Sequence, residues 1–152
     1  MKPDYTVSLN HTGLVVTDLD ETIRFFTDCL GFDLQVRQPV PKAINRLLGI
    51  SGLEVEQAFL IKDSSRIELL CYQSPPDREV ISSRAIDTGA THLGVYVNDA
   101  KASVAKAQEF GFELMGEFVE IENTGQANPI TAVAWLRNSD GLTVEFLEVP
   151  KN

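Results

Sequence analysis

His11-Thr12-Gly13-Leu14-Val15-Val16 is answered 81 positions later by His92-Leu93-Gly94-Val95-Tyr96-Val97 (92 − 11 = 81). Each stretch is short, apolar and rich in β-branched residues, the pattern of a half-buried strand. A helix-period run follows each one. In the first half Ile23, Phe26 and Leu30 recur at three- and four-residue steps, which predicts a helix over 19–30. In the second half Ala100, Val104, Ala107 and Phe110 predict one over 100–110. Thr17, Asp18 and Asp20 offer capping oxygens to the first helix, and Asn98 or Asp99 to the second. Both helices then stop at a glycine and continue with one phrase, Gly31-Phe32-Asp33-Leu34 and Gly111-Phe112-Glu113-Leu114. From His to Gly the offset is 20 in one half (31 − 11) and 19 in the other (111 − 92), which points to duplication of one supersecondary unit.

Three strand-like segments complete each half, over 32–38, 54–61 and 66–72, and over 112–119, 131–136 and 143–149. The reading is an α+β chain of two tandem βαβββ modules, repeated over about 8–73 and 90–149. Neither half can bury a sheet alone, so the modules are expected to pair, either within one chain or by exchange between two chains. The expected architecture is one domain spanning 1–152, a curled mixed sheet around a metal-binding cleft. The first half carries an insertion. Pro41 at a first helical position, the run 43–48 and a stop at Gly49 predict a short helix there. Residues 74–89, with Pro75-Pro76, read as the linker, and 123–129 as a polar loop.

Composition narrows the function classes. The chain has 152 residues, 43% hydrophobic and 23% charged, ordinary for a soluble globular protein. A net charge of −9 argues against nucleic acid or an anionic membrane as partner. The first residues show no secretory signal and no run reaches membrane-spanning length, so a cytoplasmic protein is expected. Two cysteines, Cys29 and Cys71, are too few for a disulfide framework and read as buried thiols.

Chemistry concentrates in four residues. The only two histidines are His11 and His92. Glu68 interrupts the apolar run Ile67-Glu68-Leu69-Leu70, and Glu145 interrupts Val144-Glu145-Phe146-Leu147, 77 positions on (145 − 68 = 77). A lone strand histidine is ordinarily structural, and a lone carboxylate in an apolar run needs a partner such as Arg66, Arg137 or a lysine, because burying it unpaired is costly. Strand alternation puts His11 with Gly13 and Val15, Glu68 with Arg66, Leu70 and Tyr72, His92 with Gly94 and Tyr96, and Glu145 with Thr143 and Leu147. The opposite faces are apolar and suit packing under the helices. Gly13 and Gly94 leave room for a ligand or a close backbone approach. Two imidazoles and two carboxylates at matched positions can converge on one hard-to-borderline divalent ion.

These residues resemble the vicinal oxygen chelate superfamily, which includes glyoxalase I, methylmalonyl-CoA epimerase, extradiol dioxygenases, and the fosfomycin and bleomycin resistance proteins. The resemblance runs over about 8–149. Its carriers are His11 through Leu19, Phe25-Phe26-Thr27-Asp28-Cys29-Leu30-Gly31-Phe32 and Ile67-Glu68-Leu69-Leu70. Thr91 through Asp99 and Asn138-Ser139-Asp140-Gly141-Leu142-Thr143-Val144-Glu145 carry it in the second half. It implies the paired βαβββ fold, a homodimer, a small-molecule substrate and one divalent metal per site (Ni, Zn, Mn, Co or Fe) on His11, Glu68, His92 and Glu145. His-Glu-His-Glu looks like the ligand set of bacterial glyoxalase I. By the same resemblance the reaction is that of a lyase or isomerase working through a metal-stabilised enolate, with Glu145 as the first choice of base and Glu68 as the second. Tyr72 and Tyr96 would orient the substrate or line its pocket. Val15 stands where bacterial glyoxalase I usually has an arginine that helps hold glutathione. Two alternatives accompany this reading. One is an iron-dependent extradiol-type dioxygenase using three of the ligands, and the other a small-molecule-binding protein of the resistance type without catalysis.

Overall fold

In the computed structural model, which describes residues 7–122 and 130–149, each histidine sits one residue ahead of its strand. Strand β1 is Thr12–Val15, and its counterpart β5 is Leu93–Val97. The strands expected to open at the histidines are therefore shorter than the sequence pattern suggests.

The chain forms two compact units, Met1–Asp77 and Arg78–Asn152. In the first unit β1 is followed by α1 (Leu19–Arg24), β2 (Asp33–Pro39), α2 (Ile44–Leu48), β3 (Glu54–Lys62) and β4 (Ser65–Ser74). The sheet order is β1-β4-β3-β2, with β1 parallel to β4 and the other pairs antiparallel. The second unit runs β5, α3 (Ala100–Gln108), β6 (Glu113–Leu114), β7 (Val119–Glu120), β8 (Ala132–Arg137) and β9 (Thr143–Glu148). Its order is β5-β9-β8-β6, β7 also pairs with β8, and β5 lies parallel to β9. Among the described residues the class is mixed α+β, with two mixed sheets, few helices and no closed barrel. Parallel neighbours cannot be joined by a tight turn, and in each unit helix and further strands intervene between the first strand and the last.

Each helix forms where the capping residues allow. Asp18 Oδ1 accepts the Glu21 N–H at 2.8 Å, and Asp99 Oδ1 accepts the Ala102 N–H at 2.9 Å. The first helix does not stay α over 19–30. It widens into a π-helical turn at Phe25–Cys29, closed by Leu30 N–H to the Phe25 carbonyl at 3.3 Å. The adjacent Phe25 and Phe26 are both buried there. The helix α1 packs on β3 and β4, and α3 on β8 and β9. Leu60, Leu69 and Phe26 fill the core of the first unit, and Leu136, Val144, Phe146 and Phe112 that of the second.

The expected strand 112–119 is broken. Leu114 faces Leu136 and Val119 faces Val133, so the intervening residues around Gly116 bulge out. Strand β2 bulges at the same place in the repeat, between Leu34 and Val36. Pro41 is not the first helical residue. It lies ahead of Ala43, the N-cap of α2, and its carbonyl accepts the Ile44 N–H at 3.0 Å. Gly49 ends α2 in the left-handed region (φ 69°), as expected. Cys29 and Cys71 are half-buried rather than buried. The polar loop expected at 123–129 and the N-terminal residues 1–6 lie outside the described residues.

Gly31 and Gly111 both take positive φ (69° and 75°) after their helices. At Gly31 the helix end is also tied to β3, because Lys62 Nζ donates to the Leu30 carbonyl at 2.8 Å and to that of Gly31 at 3.2 Å. A Cβ at Gly31 would lie 2.9 Å from Lys62 Nζ, whereas one at Gly111 meets nothing within 4 Å. Gly111→Ala should therefore cost about 1–2 kcal/mol through backbone strain alone, and Gly31→Ala more. Urea unfolding midpoints check this, and equal losses would contradict the Lys62 tie.

Candidate active site

The strand register decides what surrounds each glutamate. In the parallel pair β1–β4, Gly13 lies opposite Glu68, and in β5–β9, Gly94 lies opposite Glu145. On the other side, across the antiparallel hairpins, Glu68 faces Phe59 and Glu145 faces Trp135. Each carboxylate thus stands between a glycine and an aromatic ring. A Cβ built on Gly13 would lie 3.5 Å from Glu68 Oε2, and one on Gly94 would lie 3.6 Å from Glu145 Oε2. The room expected beside Gly13 and Gly94 for a ligand or a close backbone approach borders the glutamate of the same unit.

The histidines complete the arrangement. His11 Nε2 lies 3.0 Å from Glu68 Oε2, and His92 Nε2 lies 3.3 Å from Glu145 Oε2. Their side chains remain reachable: 34% and 40% exposed for the histidines, 15% and 19% for the glutamates. The His11 ring meets Phe59 edge-on at 5.6 Å, and the His92 ring lies over Trp135 at 4.3 Å. Behind each pair the alternate residues are core, with Ile67 and Leu69 on one side of Glu68 and Val144 and Phe146 flanking Glu145. The arginines considered as carboxylate partners are engaged elsewhere. The Arg66 guanidinium stacks on Phe59 at 4.1 Å, and Arg137 Nε donates to Thr143 Oγ1 at 2.8 Å.

The donor set fits a divalent cation. Asn10 Oδ1 lies 2.8 Å from His11 Nδ1, which leaves Nε2 as the ring nitrogen that faces Glu68. An imidazole nitrogen and a carboxylate oxygen 3.0 Å apart can share a proton, and both atom types are also ligands of divalent cations. The structure brings the four predicted ligands together as two pairs, each within its own unit. Among the described residues no group of three or more His, Cys, Asp or Glu side chains gathers as a metal-holding cluster. Of the residues assigned to substrate, Tyr72 is half-buried on β4, whereas Val15 (58% exposed) and Tyr96 (64%) are open to solvent.

Phe59 and Trp135 escaped the sequence reading. They stand nine residues before Glu68 and ten before Glu145 (68 − 59 = 9, 145 − 135 = 10), a near-match the duplication offers as a signal. In the second unit a groove of about 610 Å³ is lined by Asp99, Lys101, Phe118, Glu120, Thr131 and Glu148, and by none of the four His and Glu residues. Two of its carboxylates are committed to structure. Glu148 Oε2 accepts the Ala100 N–H at 2.7 Å, and the hydrogen bond from Lys101 holds Glu120 below the usual carboxylate range.

The model of the glyoxalase/bleomycin resistance protein/dioxygenase superfamily matches residues 10–131, and the chain belongs to that superfamily. It is 26% identical to a 2-epi-5-epi-valiolone epimerase of an Actinomyces species, over 95% of this chain and 80% of that one. It is 28% identical to a probable chloroplastic lactoylglutathione lyase of Arabidopsis thaliana, over 91% of this chain but only 35% of the longer relative. A glyoxalase family protein from Bacillus cereus superposes with a TM-score of 0.83 at 25% identity, covering 99% of both chains.

Proposed function

We propose that this chain is a divalent-metal-dependent isomerase or lyase of the glyoxalase type, acting on a small molecule with neighbouring oxygens. One observation carries the reading. The same His–Glu pair is built twice, with imidazole nitrogen and carboxylate oxygen 3.0 and 3.3 Å apart, each over a glycine on the adjoining parallel strand. Nothing in either sheet needs that pair for packing, since the apolar core is made by the alternate residues.

His11 and His92 would hold the ion through Nε2, and Glu68 and Glu145 through carboxylate oxygen. This set suits Ni, Zn, Mn, Co or Fe. A bound ion of this kind supplies Lewis acidity toward a carbonyl oxygen. The protein's own part is to orient the substrate and move a proton at the carbon beside that carbonyl, a task for a carboxylate within reach. Asn10 fixes the His11 ring through Nδ1. Tyr72 and Tyr96 contribute hydroxyls from the strands that carry Glu68 and follow His92.

The relatives support proton transfer at carbon, since their names denote an epimerase and a lyase. Val15 bears no charge with which to hold glutathione, which favours a substrate not carried on that thiol. The chain is accordingly expected to act on a hydroxyketone or a similar small carbonyl compound directly.

Elemental analysis of the purified protein should find about one divalent metal per chain, and His92→Ala should lose it. Reloaded protein should catalyse exchange of the carbon-bound hydrogens of dihydroxyacetone with D2O, followed by proton NMR, and His92→Ala should fall to the buffer rate. A protein that neither carries nor takes up metal would refute the reading. Rapid turnover of the methylglyoxal–glutathione adduct alone would overturn the assignment against glutathione.

A further inference from the structure

Each sheet carries an arginine at the same end of its last hairpin, and the two units treat it differently. In the second unit Arg137 on β8 faces Thr143 on β9. Its donors are taken up there, Nε by Thr143 Oγ1 at 2.8 Å and Nη1 by the Ser83 carbonyl. In the first unit the arginine has moved to the other strand of the hairpin. Arg66 on β4 stands where the repeat has Thr143 (143 − 66 = 77), and it faces Ile61 on β3, which has no side-chain acceptor. Arg66 Nε is buried without a hydrogen-bond partner, the one such side-chain nitrogen or oxygen among the described residues. Nor does a carboxylate pair with Arg66 among them, since Glu68, two residues on, is turned to His11.

The aromatic rings differ in step. Trp135 Nε1 donates to Glu145 Oε1 at 2.9 Å. Phe59, at the matching place beside Glu68, has no hydrogen to donate. Its ring instead meets His11 edge-on at 5.6 Å and the Arg66 guanidinium at 4.1 Å. Strand alternation puts Arg66 on the half-buried face with Glu68, while Ile67 and Leu69 go to the core. Guanidinium, ring, imidazole and carboxylate therefore share one face of the first sheet.

We propose that Arg66 is a substrate-binding residue of the first unit, which grips an oxyanion group of the substrate, carboxylate or phosphate, beside the His11–Glu68 pair. The proposal names the substrate class and rests on the metal-dependent reading above for the reaction that follows binding. A charged donor taken out of water is costly unless an acceptor meets it. The Phe59 ring face steadies the cation but offers Nε no lone pair. A guanidinium donates side by side from Nε and a terminal nitrogen, which matches two oxygens of a carboxylate or phosphate. In a chain of net charge −9 an anionic substrate needs such a local cation to be held. Val15, on the adjoining strand β1, supplies none. The substrate is thus a small carbonyl compound with an oxygen beside the carbonyl and an anionic group that reaches Arg66.

The first test needs no metal. Chelator-stripped, full-length protein labelled with nitrogen-15 gives an Arg66 Nε–H signal, assigned by its absence from Arg66→Lys and Arg66→Gln. Sodium glycolate and sodium phosphate are titrated separately, with sodium chloride at equal ionic strength as control. A saturable shift with either anion and not with chloride supports the proposal. Response to glycolate alone marks a carboxylate site, and response to phosphate alone a phosphate site. No saturable shift with either anion, or the same shift with chloride, would overturn it. The second test uses metal-loaded protein and compares exchange of hydroxypyruvate and dihydroxyacetone phosphate with that of neutral dihydroxyacetone. Wild type should favour one or both anionic compounds by about ten- to a hundredfold in kcat/KM, the worth of a charged hydrogen bond. Arg66→Gln should lose that preference, mainly through KM, and Arg66→Lys should recover part of it. An arginine that only covers Phe59 would lower the Tm of Arg66→Gln and leave the preference intact, which would overturn the proposal. A protein that takes up no metal overturns the metal reading, and the anion titration then still decides the role of Arg66.

Discussion

Parallel pairing of the first strand of each unit with its last is the constraint on which the rest depends. It sets Gly13 against Glu68 and Gly94 against Glu145, and it delivers a histidine to the carboxylate from the residue just ahead of the strand. A slip of one residue would turn the glutamate into the core and an apolar residue toward the histidine. The core prevents this, because Leu69 and Ile67 in one sheet and Val144 and Phe146 in the other are buried under their helices. Packing of the apolar face therefore fixes the chemistry of the polar one.

Much of this was legible in the sequence, because duplication writes each signal twice. The histidines, the glutamates and the two Gly-Phe phrases recur at nearly constant spacing, and the caps at Asp18 and Asp99 and the stop at Gly49 obey local rules that tertiary contacts do not override. Cross-strand neighbours were not legible. That Trp135 would stand beside Glu145, and Phe59 beside Glu68, depends on the register of a hairpin, which alternation alone leaves free. The broken strand around Gly116 and the π-helical turn at Phe25–Cys29 were hidden for a similar reason. Both insert residues into a regular pattern without changing its apolar content.

Duplication followed by divergence also explains why the carboxylates differ. The backbone register has been kept while the aromatic beside the glutamate is tryptophan in one unit and phenylalanine in the other. A single indole nitrogen separates a carboxylate held at both oxygens from one held at a single oxygen. The loss of symmetry lies in hydrogen bonding rather than in fold.

The central claim is that the two His–Glu pairs are ligands of one kind of divalent ion. X-ray absorption spectroscopy of the cobalt(II)-loaded protein tests it most directly. The account predicts a bound metal with ring scattering from imidazole and a remaining shell of oxygen. A metal shell without imidazole, or with sulfur from cysteine, would contradict it.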